Sequence, residues 1–147
     1  MYGDATVIRR RAAQLREQAV DVRALADRLV AGADGIDWSG RAAEDLRLRM
    51  RDRAAQLRQV AALHETAAES LARHGAEVGD LKDAIADAER KVGALVAEAR
   101  TRQAELSSYD DAAGVTRTLS REDQELVDAD LPPAGHKDWL DLTLQGR

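Results

Sequence analysis

The chain has 147 residues, 44% apolar and 33% charged, with no cysteine, no Phe, two Trp and a formal net charge of −5. This composition excludes disulfide scaffolds and thiolate metal sites, and its Ala, Leu, Glu and Arg bias is that of long packed helices. The acidic excess falls in residues 109–147, which carry four basic and nine acidic side chains. A nucleic-acid partner is not expected, because phosphate binding needs a concentrated basic footprint. Arg9-Arg10-Arg11 and the alternating Arg47, Arg49, Arg51 and Arg53 fan around a helix at 100° per residue and form no single stripe.

Residues 5 to 33 show a strict heptad. Ile8, Leu15, Val22 and Leu29 recur every seven residues, and Ala12, Ala19, Ala26 and Ala33 follow each by four. Alternate seam positions are therefore alanine, which lets a second helix approach closely and predicts a tight antiparallel hairpin. The glycines of Ala31-Gly32-Ala33-Asp34-Gly35 end this helix, and Asp37-Trp38-Ser39-Gly40 forms the bend. One amphipathic indole at Trp38 is expected to plug the open end of the hairpin, and Gly40 to permit close backbone approach.

A second helix starts at Arg41 and holds one register through Met50, Leu57, His64, Leu71, Val78, Ile85, Val92, Ala99 and Leu106. Its companion positions are Ala54, Ala61, Ala68 and Gly75 in the first half, then Leu81, Ala88 and Leu95. Folding back about Trp38 predicts Ile8 beside Ala68, so that the first helix is exhausted near residue 72. Val78, Leu81, Ile85, Val92 and Leu95 are then an uncovered stripe that calls for a second chain and a four-helix or coiled-coil pairing. The unbroken register favours one long helix over a reversal at Gly75.

From Ser107 to Gly114 the texture is that of a loop. Ser120-Arg121-Glu122-Asp123 is a capping-box variant that predicts a short helix before Pro132-Pro133. Trp139, Leu140, Leu142 and Leu144 lie in an alternating, strand-like stretch read as a flexible terminus or a docking tail. The fold class is thus all-α, with residues 1–108 a helical hairpin and 109–147 an acidic tail carrying one short helix.

Chemistry is thin. His64 and His74 are ten residues apart and cannot share a metal on one straight helix face, and no phosphate loop or nucleophile elbow occurs. No catalytic, cofactor or metal site is expected, and the chain reads as a non-enzyme. No run approaches the ~20 apolar residues of a membrane span, and no signal peptide is visible after Met1.

Trp38-Ser39-Gly40 between two amphipathic helices resembles the WXG family, the helical hairpins exported by type VII (ESX) secretion systems. The stretch 37–46 is similar to the longer WXG-like amino-terminal domain of actinobacterial type VII effectors. The resemblance covers roughly residues 5–108. It implies a secreted substrate or partner module, cytoplasmic before export without a cleavable signal. It also implies pairing as a homodimer or as a heterodimer with another WXG-like protein, and recognition by the type VII ATPase. Trp38 and Gly40 match the family bend; the Tyr-x-x-x-Asp/Glu signal does not, since Tyr109 is followed by Ala113 and Tyr2 by Thr6. A cytoplasmic coiled-coil scaffold unrelated to secretion is the alternative.

Overall fold

A computed structural model describes residues 4–114 and 116–142, apart from the side chains of Asp110, Asp111 and Ala113. The described elements are all helical: α1 (Ala5–Asp34), α2 (Arg41–Ala113), α3 (Arg121–Asp128) and one 3₁₀ turn (Lys137–Leu140). The chain divides into two compact units, Met1–Gly79 and Asp80–Arg147. This division falls inside α2.

The first unit is the hairpin. Asp4 caps α1 by accepting from the Thr6 amide at 2.9 Å, and the Gly35 amide closes it by donating to the Ala31 carbonyl at 3.0 Å. α2 opens at Gly40, whose φ of +113° is open to glycine and strained for other residues. Its carbonyl accepts from the Glu44 amide. Ala12, Ala19, Ala26 and Ala33 of α1 and Ala43, Ala54, Ala61 and Ala68 of α2 are all buried, so the alanine seam forms as the heptads predict. Larger seam residues such as Leu15, Val22, Leu57 and Leu71 are half-buried beside it.

The register differs from the expected one by a heptad. Ile8 lies against Gly75, not Ala68, and Gly32 lies against Met50. The cause is the connection. A tight turn at Trp38 would make the arms equal, but Ile36 to Ser39 form a connection without regular structure between the two helices. Arg47 fixes them, its Nη2 donating to the carbonyls of Ile36 at 2.9 Å and Trp38 at 3.0 Å. About two turns of α2 thus precede the point where α1 ends, and α1 reaches correspondingly further along α2.

Across the seam Arg23 makes a two-pronged hydrogen bond to Glu65, the Nη2 to Oε2 arm measuring 2.8 Å. Arg51 to Asp34 and Arg58 to Asp27 are further ion pairs at 2.8 Å. The Arg23 pair is part-buried and the other two are solvent-exposed, so they set register more than they add stability.

α2 is one helix through Gly75 and Gly79 and continues through Ser107 to Ala113, where a loop was expected. Ser and Asp favour caps but do not break a helix, and the first residue that suits termination is Gly114, at φ +65°. In the second unit α3 begins at Ser120, whose hydroxyl accepts from the Asp123 amide at 3.1 Å as the capping box predicts. The segment after α3 is neither strand-like nor loose. Trp139 sits on the 3₁₀ turn and is buried against Ile85, Val92 and Val96, with Ala88, Leu126, Leu131 and Leu142 around it.

Candidate interaction surfaces

Two surfaces carry the residues singled out from the sequence: the bend and the α2 face of the second unit. At the bend, Trp38 is 52% exposed and does not plug the hairpin. Its backbone carbonyl is held by Arg47 while its indole stands in solvent. Gly40 starts α2. Together they form an anchored backbone that presents an aromatic side chain.

The expected uncovered stripe is mostly covered. Val78 is buried within the hairpin unit, because the shifted register carries α1 past residue 72. Ile85 and Val92 are buried in the second unit under the chain's own tail. Leu95 is half-buried, and Leu81 is 45% exposed. Of the tail residues, Trp139 is 5% exposed, Leu142 half-buried and Leu140 exposed; Leu144 lies outside the described residues.

Chain comparison adds no relative to these surfaces. No family model, curated protein or solved structure matches.

The tail is tied to α2 by two polar contacts that sequence reasoning missed, and a third holds the tail to itself. Arg102 grips Asp123 through Nε at 2.8 Å and Nη2 at 2.6 Å. The hydrogen bond from Arg102 holds the Asp123 carboxyl below its ordinary range, and the reciprocal bond raises the guanidinium. Gly135 donates its amide to Glu89 at 3.2 Å. The Trp139 Nε1 donates to the Pro133 carbonyl at 2.9 Å, so the indole is buried with its polar atom satisfied. Val96, also missed, lies four residues after Val92 and three before Ala99, the spacing that marks an a/d seam.

Open clefts flank Leu119 where the last turns of α2 meet α3. One is lined by Leu106, Ser107, Arg117, Arg121 and Gln124, the other by Arg102, Tyr109, Leu119 and Asp123. Arg117 stacks over the Tyr109 ring at 5.2 Å. In the hairpin seam His64 keeps a buried Nδ1 that has no hydrogen-bond partner among the described residues. Among the described residues no group of His, Cys, Asp and Glu is arranged to hold a metal, and no helix is long and apolar enough to cross a membrane.

Proposed function

We propose that the chain is a WXG-type helical hairpin associated with type VII (ESX) secretion, a substrate or partner module acting through helix–helix binding. The supporting observation is the bend. Trp38 is placed between two packed amphipathic helices, two residues before a glycine that opens the second, and its ring is left half exposed. An indole that contributes little to the hairpin core is available to a partner, and exposed aromatics are preferred anchors of protein interfaces. In this reading the chain pairs with itself or with another WXG-like protein, is cytoplasmic before export, and is handed to the type VII ATPase, its partner supplying the missing tyrosine signal.

The test is co-expression with WXG-like proteins encoded beside it, followed by native mass measurement and an export assay. A stoichiometric complex that Trp38→Ala weakens at least about tenfold supports the reading. Absence of any such complex, with export unaffected by loss of the type VII ATPase, refutes it. A coiled-coil scaffold unrelated to secretion is the second reading, favoured by the way the alanine seam and its ion pairs close the hairpin without help from Trp38.

A further inference from the structure

Between Val78 and Ile85, both buried, α2 runs uncovered. The reason is the reach of its two covers. Ile8 lies against Gly75, so the opening turn of α1, which starts at Ala5, is used up beside Val78. From the other direction the tail returns along α2, with Asp123 on Arg102 and Gly135 on Glu89, and its Trp139 and Leu142 close on the cluster that begins at Ile85. Asp80, Leu81, Lys82, Asp83 and Ala84 are left exposed, five in succession. The division between the two compact units falls at the start of this stretch, between Gly79 and Asp80.

Tertiary packing supplies most of the stability of a helix in a protein, and here it is missing. The local sequence is weak as well. Glycine is the poorest helix former after proline, and Gly79 has no packing reason to be one. A Cβ at Gly75 would stand 3.0 Å from Ile8, whereas a Cβ at Gly79 would meet nothing within 4 Å. Asp80, Asp83 and Asp87 follow at spacings of three and four, which sets like charges beside one another on the helix surface. Arg90 relieves Asp87, but Asp80, Lys82 and Asp83 make no side-chain hydrogen bond or ion pair among the described residues.

We propose that residues 79–84 are a hinge in α2, a turn and a half that opens and recloses while the helix on either side stays folded. Exposed helical backbone without a buried side chain belongs to the low-stability end of a fold. The opening is confined, because to spread it would have to draw Val78 or Ile85 out of its packed position. The hairpin and the tail-covered part of α2 each keep their own packing throughout, and the few released dihedrals absorb the change, as hinge residues do.

Native-state hydrogen exchange on the full chain, read amide by amide as protection factors, tests this. Residues 80–84 should be at least about tenfold less protected than 71–78 and 92–99. Their exchange should also be insensitive to low urea, since a local opening exposes little surface, while exchange in the flanks rises with urea. Gly79→Ala fits without a clash and should raise protection in 80–84 about fivefold, the difference between glycine and alanine in a helix. Gly93→Ala is the control. Its Cβ also meets nothing within 4 Å, but it lies between the buried Val92 and Val96, so it should leave 80–84 unchanged. Protection in 80–84 equal to that of the flanks, or the same urea dependence, would overturn the proposal. So would no gain there in Gly79→Ala, or an equal gain in Gly93→Ala.

Discussion

Replacing Gly75 by alanine sets two effects of known size against each other. In an ordinary helix interior the change stabilises by about 1 kcal/mol, because glycine gives up more backbone freedom on folding. Here a Cβ at position 75 would stand 3.0 Å from Cγ2 of Ile8 and 3.5 Å from its Cβ. The closest atom belongs to a β-branched side chain with one favoured rotamer in a helix, and rotating it leaves the Cβ in place. Relief therefore requires the helices to separate by a few tenths of an ångström, loosening the alanine layers beside them. Overpacking of this kind costs about 1–3 kcal/mol, which outweighs the propensity gain, so Gly75→Ala should destabilise the hairpin by up to about 2 kcal/mol. In an Ile8→Ala background the obstructing methyl is gone and the same substitution should stabilise by about 1 kcal/mol. Urea unfolding followed at 222 nm for the four chains of this cycle measures the sign in each background. If Gly75→Ala stabilises equally with and without Ile8, the close approach of Ile8 to residue 75 is refuted.

Trp38→Ala should change the melting temperature little, the ring being half in solvent, whereas Arg47→Ala should cost about 1 kcal/mol by releasing the carbonyls of Ile36 and Trp38; thermal melts of the two compare indole with anchor. Gly40→Ala should cost about 1–3 kcal/mol, read from the same melts, because its φ of +113° is strained for any residue with a Cβ. The Arg23 hydrogen bond holds the Glu65 carboxyl below its ordinary 4.5, so its contribution is complete above that value and disappears as pH falls through the lower folded value. Melting temperatures of the unaltered chain and Glu65→Gln should accordingly converge below pH 4.5. The same sign holds for Asp123 beneath Arg102, and Asp123→Asn should flatten the acid limb of hydrogen-exchange protection in residues 120–142.

The helices themselves could be read directly, since Ile8-Leu15-Val22-Leu29 and the alanines between them admit only a 3.6-residue period. Gly35 and Gly40 likewise marked the connection. The register could not be read, and the reason lies in the seam. One alanine heptad is chemically the same as the next, so Ile8 beside Ala68 and Ile8 beside Gly75 satisfy the pattern equally well. The choice falls to Arg47, whose hold on two backbone carbonyls leaves no periodic trace. The burial of Trp139 was hidden for a related cause. Alternation from Trp139 to Leu144 suggests a strand, while a single 3₁₀ turn that fixes one indole against Val92 and Val96 has no sequence period. Ser107 to Ala113 show how weak a stop serine and aspartate make when no proline or glycine accompanies them.

Among the described residues no large side chain is fully buried; the wholly enclosed positions are alanines. Apolar area withdrawn from water sets the heat capacity of unfolding, typically about 12–15 cal/mol/K per residue. A seam of methyl groups withdraws little of it, so this hairpin should fall below that range. Its stability curve is then shallow, changing slowly with temperature on both sides of its maximum and resisting cold better than a Leu- and Phe-filled core of equal stability.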